Sequence, residues 1–141
     1  MMPIRLCALI LFIVVLSANA IALESQYNVN LANSTELGTY MTNATFFTLY
    51  RYLGDPPGKK VSTCNGNCSE IWSPFYVENL VPNPELKSRD FDVINRNDGT
   101  KQLTYKGWPL YLYTGDTKPY QTRGQAKNGV WFVVNPQNLT R

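Results

Sequence analysis

The chain has 141 residues, 13 basic and 10 acidic side chains, a formal net charge of +3 and no histidine. The missing histidine excludes the usual general base, the commonest metal ligand and a haem axial imidazole. Beyond the first twenty residues Met41 is the only thioether, which excludes blue-copper ligation. The charge is slight and scattered, so a nucleic-acid partner has no electrostatic footprint.

In chain order, "MMPIR" supplies a short positive start and "LCALILFIVVLSA" an apolar run of 13 residues, followed by the small-x-small pattern Ala18-Asn19-Ala20. This reads as an export signal spanning 1–20, cleaved after Ala20. The run is short of the roughly 20 apolar residues a spanning helix needs, so the membrane becomes a partner only if the signal stays uncleaved. The remaining roughly 120 residues suffice for one core and not for two domains. Residues 21–36 read as an N-terminal extension, 37–136 as one domain of two related halves (37–78 and 91–136), and 137–141 as a tail.

Strand signals dominate that domain. "LGTYMT" and "FFTLYRYL" flank Asn43-Ala44, a hairpin candidate, and Pro56-Pro57-Gly58 marks a turn. Cys64 and Cys68 follow. In an exported chain a close pair reads as a disulfide, whose tiny ring contributes about 2 kcal/mol and pins a turn. A redox-active dithiol is the competing reading, although C-x-x-x-C is not the oxidoreductase spacing. Zinc would need two more soft ligands. "NCSEIW" suggests a short helix near 67–72, with Asn67 and Glu70 at capping-box spacing. The proline-bearing stretch 79–90 connects the halves. Asp98-Gly99 and Lys106-Gly107 are hairpin turns, and "GVWFVV" is an apolar strand. The second half thus predicts a meander of four strands at 91–96, 101–105, 109–114 and 130–134.

One stretch occurs twice: "LYRYLGD" at 49–55 and "LYLYTGD" at 110–116, with Tyr50 and Tyr111 offset by 61 residues and Trp72 and Trp131 by 59. Shared order and spacing argue for a duplicated supersecondary unit. A unit of this size is too small to bury its own faces, so the halves should pack together. Alternation puts Tyr50 and Tyr52, and likewise Tyr111 and Tyr113, on the side opposite the leucines. Both sides are apolar or aromatic, which predicts central, covered strands. Gly54-Asp55 and Gly115-Asp116 end each strand, with the carboxylate taking backbone N–H groups in an Asx-type turn. The fold class is therefore mainly β: two pseudo-repeats of about 60 residues, built of antiparallel hairpins, plus one short helix.

On these residues the chain resembles the secreted-repeat family of exported proteins, described as predicted lipoproteins with a Yx(F/W/Y)xxD motif. Tyr50, Tyr52 and Asp55, and again Tyr111, Tyr113 and Asp116, satisfy that motif. "STCNGNCSEIW", "NDGTKQLTYKGWPLYLYTGD" and "NGVWFVVNP" fit its wider context, and the resemblance covers about 37–136. It implies export and an unknown function, with no catalytic residues to carry over. The chain departs from the pattern in lacking a lipidation cysteine, in Ser73 where proline is usual, and in Tyr120 where glycine is common.

Three functional readings remain. A carboxylate-based hydrolase acting on envelope glycans would draw on Asp55, Asp116, Asp90, Asp92, Glu70 or Glu78, with a pair about 5–10 Å apart in a cleft. Each of these has a simpler role as a cap, turn or solvated residue. A non-catalytic binding or structural module is favoured, its partner an envelope or extracellular glycan or protein. Trp72, Trp131 and the motif tyrosines then fill the core, while Trp108, after a tight turn, is the candidate exposed binding residue. Electron transfer is the third class: nothing in the chain can ligate a redox centre and no cofactor is expected, which leaves it only the role of a passive scaffold for a redox partner. Among four N-x-S/T sequons, at Asn33, Asn43, Asn67 and Asn138, the first and last lie near chain ends and are the best glycan acceptors. Asn67 shares its sequon with Cys68.

Overall fold

The structure, a computed structural model, describes residues 25–139. The export signal lies outside the described residues. Nine strands run in the order β1 (Val29–Ser34), β2 (Gly38–Asn43), β3 (Leu49–Tyr52), β4 (Trp72–Pro74), β5 (Phe91–Asn95), β6 (Lys101–Tyr105), β7 (Trp108–Pro109), β8 (Tyr111–Tyr113) and β9 (Trp131–Val133). One helix, α1 (Asn67–Ile71), precedes β4, and a single 3-10 turn covers Ser88–Asp90. The fold is mainly β with antiparallel strand pairing and one short helix, as the composition and turn pattern indicated.

Two hairpin sheets, β1-β2 and β5-β6-β7, flank a four-stranded sheet in the order β4-β8-β3-β9. The two motif strands lie side by side at its centre, with Tyr50 directly opposite Tyr111. Each is then completed by the other half of the chain: β9 pairs with β3, and β4 pairs with β8. The backbone bonds repeat this exchange in matching pairs. Met41 N–H donates to Val134 and Leu103 N–H to Phe75, at 2.9 and 2.7 Å. In return Val134 N–H reaches Leu49 and Phe75 N–H reaches Leu110, at 3.0 and 2.9 Å. The halves are related by an approximate two-fold and are interlocked.

Two expectations are corrected here. The second half is not a simple meander. The run 109–114 divides at Leu110, whose N–H still bonds Leu103 while its carbonyl accepts from Phe75, so the chain leaves the hairpin sheet and enters the central one. β9 passes over to β3 because the long segment between β8 and β9 carries it beyond its neighbour. The stretch read as an extension, 21–36, holds β1, with Val29 fully buried and Asn30 fastened to the Tyr27 and Asn43 carbonyls. The connector 79–90 is tied to β1: Asn28 and Asn83 N–H groups bond the Val81 and Val29 carbonyls, and Leu86 is buried.

Turn chemistry explains the hairpins. Lys106 and Gly107 both take positive φ, 46° and 83°, the geometry of a two-residue turn that matches strand twist. Asn97-Asp98-Gly99 forms a three-residue loop with Gly99 at φ 84°. Tyr120, where the family resemblance anticipated glycine, sits at φ 63° and stacks on Phe46, itself at 65°. The helix forms without the anticipated capping box, because Gly66 occupies the cap and Asn67 is already the first helical residue.

Two clusters make the core. Aliphatic residues on one face include Val29, Met41, Leu49, Leu103, Leu110 and Val134. The other cluster is aromatic: Tyr40, Tyr50, Trp72, Tyr111 and Trp131, with Tyr52 and Tyr113 packed against it.

Candidate functional site

The aromatic cluster is where the repeated motif converges, and each position in Tyr-x-Tyr-x-Gly-Asp has a physical task. The first tyrosine is fully buried on a central strand, and burial forces its hydroxyl to find a partner. That partner belongs to the other half: Tyr50 Oη donates to Asp116 Oδ2 and Tyr111 Oη to Asp55 Oδ2, both at 2.7 Å. The second tyrosine stacks on the tryptophan across the strand pair, Tyr52 on Trp131 and Tyr113 on Trp72, with centroids 4.4 and 4.3 Å apart. The two tryptophans stack on each other at 3.8 Å with their planes nearly parallel. Glycine is needed next because the ring folds back over it. A Cβ on Gly54 or Gly115 would lie 2.3 Å from the Tyr52 or Tyr113 ring.

The aspartates finish the motif as strand stops whose carboxylate oxygens each accept at least one hydrogen bond. Asp55 Oδ1 accepts from Thr63 N–H and Thr63 Oγ1 at 2.7 and 2.8 Å, and Asp116 Oδ1 accepts from Arg123 N–H at 2.9 Å. The anticipated Asx turn is not formed: the carboxylates do take backbone N–H groups, but from residues seven or eight positions onward, so they tether the following loop instead of closing a local turn. Burial pushes both carboxyls above their ordinary range; for Asp55 the Thr63 N–H and Tyr111 bonds oppose it, and for Asp116 the Tyr50 and Arg123 N–H bonds do. Burial also pushes the Tyr50 and Tyr111 phenols upward, reinforced by the adjacent carboxylates, so both remain protonated donors.

Sequence reasoning passed over one arm of this network. Arg96, whose side chain is fully buried, donates to Ser62 Oγ, to Gln102 Oε1 at 2.6 Å and to the Cys64 carbonyl at 2.7 Å. Ser62 Oγ lies 2.7 Å from Tyr111 Oη. Because the phenol proton already goes to Asp55, Ser62 must be the donor. A directed chain thus runs from guanidinium through Ser62 and Tyr111 to Asp55. In the other half the N–H of Gly124 takes Ser62's place, donating to Tyr50 Oη at 3.2 Å. Arg96 reads locally as an ordinary hairpin residue, and no signal in "NRNDG" marks it.

Cys64 and Cys68 are joined by a disulfide with Cα atoms 5.2 Å apart, pinning the loop that Arg96 holds from below. Trp108 is corrected: it is 5% exposed, because Arg51 from β3 lies over its ring at 4.8 Å. Asp92 is ion-paired with Lys60, Glu70 and Glu78 are exposed, and Asp90 is half-buried. Among the described residues no group of three or more histidine, cysteine or carboxylate side chains could hold a metal. Asn33 is exposed, Asn43 Oδ1 is occupied by Thr45 and Phe47 N–H groups, and Asn138 is exposed, its sequon threonine lying outside the described residues. A surface cleft of about 260 Å3, lined by Glu36, Arg51, Gln125, Asn135 and Asn138, lies apart from the motif carboxylates.

Comparison with known families returns one match, and it falls on these elements. A family model described as a secreted repeat of unknown function matches residues 32–75 and again 92–135. The two matches carry equivalent strands and one motif each. Neither the curated proteins nor the solved structures yield a match.

Proposed function

The chain belongs to the family of secreted repeats of unknown function, and from that premise we propose that it is an exported, non-catalytic module whose motif residues clasp its two halves together. The observation that carries this reading is the reciprocal bonding of Tyr50 with Asp116 and Tyr111 with Asp55. A carboxylate that acts as base or nucleophile needs a free oxygen lone pair facing a substrate. Asp55 is fully buried, and three donors occupy its oxygens. The surface cleft, for its part, is lined by a single carboxylate, Glu36.

Binding is the activity left to the surface, and an extracellular glycan or protein is the partner class. The cleft beside Glu36 and Asn135 and the exposed ring of Tyr120 are the places a ligand would meet first. Asn33 is the acceptor for any glycan the host attaches. The test pairs two measurements on the secreted protein. Hydrolysis assays on envelope glycans should show no turnover, and titration with the same glycans should move NMR resonances of cleft residues and Tyr120 while leaving Tyr50 and Tyr111 in place. Turnover that Asp55→Asn abolishes without loss of thermal stability would overturn the non-catalytic reading.

A further inference from the structure

Six aromatic rings form an unbroken path through the middle of the molecule. Tyr52, Trp131, Trp72 and Tyr113 stack in that order with centroid spacings of 4.4, 3.8 and 4.3 Å. Tyr111 stands edge-on to Trp131 at 5.1 Å and Tyr50 edge-on to Trp72 at 5.4 Å. Packing accounts for the contacts. Burial requires each edge-on phenol to find an acceptor, and in both halves that acceptor is a carboxylate, a group that can also take the proton.

Indole and phenol are among the side chains that lose one electron most readily, and rings in contact exchange electrons efficiently. A parallel stacked pair such as Trp72 and Trp131, 2° apart in orientation, shares a missing electron and is easier to oxidise than either ring alone. An oxidised phenol is a strong acid and must release its proton. Tyr50 and Tyr111 each have a carboxylate oxygen waiting at 2.7 Å.

We propose that this cluster is a one-electron relay, which takes an oxidising equivalent from an outer-sphere one-electron oxidant at the surface and holds it in the core as a neutral tyrosyl radical. Tyr52 is the entry. Both ends of the stack are half-buried, but the Lys127 ammonium lies 5.5 Å from the centre of the Tyr113 ring and opposes positive charge at that end. The oxidant gains one electron from the stack, and the vacancy passes to the tryptophan pair. Tyr111 then returns an electron to Trp131, its Oη–H bond breaks, and the proton goes to Asp55 Oδ2. Tyr50, Trp72 and Asp116 provide the equivalent route.

The balance also explains why the carboxylates are buried. Before oxidation, phenol and carboxylate together carry one negative charge in a water-poor interior. Afterwards, radical and carboxylic acid carry none. Burial disfavours the charged form and therefore favours the oxidised pair, while the Arg96 and Arg123 cations, which favour ionised Asp55 and Asp116, offset part of that gain.

The test uses the full-length protein with photogenerated tris(bipyridine)ruthenium(III) as oxidant, read by transient absorption and freeze-quench EPR. An indole radical should form first and decay into a tyrosyl radical, more slowly in D2O, and a soluble paramagnetic relaxant should leave that tyrosyl signal unbroadened. Tyr50→Phe/Tyr111→Phe should stop the sequence at the indole radical. Asp55→Asn/Asp116→Asn, which keeps an acceptor atom but no proton base, should lose most of the tyrosyl yield. A wild-type tyrosyl signal that the relaxant broadens fully, or no indole precursor, would overturn the proposal, whether or not the variants fold.

Discussion

Tyr50 and Asp116, 66 residues apart, share a buried hydrogen bond of 2.7 Å, and Tyr111 makes the mirror-image bond to Asp55. Removing either hydroxyl leaves a desolvated carboxylate short of one donor. Tyr50→Phe and Tyr111→Phe should each cost about 1–3 kcal/mol, the penalty for an unsatisfied buried polar group. Each substitution also strands a second donor, Ser62 Oγ for Tyr111 and the Gly124 N–H for Tyr50. Urea midpoints at constant slope provide the measure, and losses below about 0.5 kcal/mol, the usual range of surface substitutions, would contradict it.

Gly54 and Gly115 carry ordinary φ values, so their necessity lies in space and not in backbone freedom. Alanine at either site must displace the Tyr52 or Tyr113 ring, and with it one end of the stack. The expected cost is roughly 1–3 kcal/mol, typical of overpacking. The near-ultraviolet circular dichroism of the stacked rings should change with it. An unaltered spectrum in Gly54→Ala would show that the ring has room to move.

Acidification should stabilise the protein before it harms it. Asp55 and Asp116 have raised folded-state pKa values, so they bind protons more tightly in the fold than in the unfolded chain. Their contribution is fully present below the ordinary carboxylate range near 4 and is lost as pH rises through the raised values. Asp92 and Asp98 are held low, the first mainly by Lys60 and the second by Thr100, so their contribution disappears as pH falls below that range. The melting temperature should therefore peak on the acid side of neutrality, and Asp55→Asn/Asp116→Asn should flatten the rise between neutral pH and the peak. A melting temperature that falls steadily from pH 7 downward in the wild type would contradict the assignment.

Ala126 sits at φ 58° on an exposed turn. A left-handed conformation costs a non-glycine residue about 1–2 kcal/mol. Ala126→Gly should accordingly gain up to about 1 kcal/mol, net of the extra freedom it gives the unfolded chain. Thermal denaturation would register it as a rise of several degrees, and no rise would mean the turn relaxes.

Local chemistry was legible in the sequence, and partnership was not. Lys106-Gly107, Asp98-Gly99 and the cysteine pair each specify their own few residues, and the doubled motif disclosed the two halves. Period-two alternation assigned Tyr50 and Tyr111 to one face of central strands. It could not say that β9 would pair with β3, because alternation fixes a face and not a neighbour. Trp108 follows an exposed turn and was read as exposed, yet Arg51 reaches it from another strand. β1 went unseen since "VNLANS" carries two asparagines, one of which, Asn30, is buried only because the Tyr27 and Asn43 carbonyls receive its amide. The aspartates were read as strand stops, which they are, while their bonds to the opposite tyrosines belong to the tertiary fold alone.

The most direct test of the interlocked halves is a pair of double-mutant cycles using Tyr50→Phe. Combined with Asp116→Asn, the cycle should return a coupling of about 0.5–3 kcal/mol, the range for residues in contact. Combined with Asp55→Asn in its own half, the coupling should be much smaller. A larger coupling between Tyr50 and Asp55 would mean that each motif closes on itself, and the exchange between halves would be wrong.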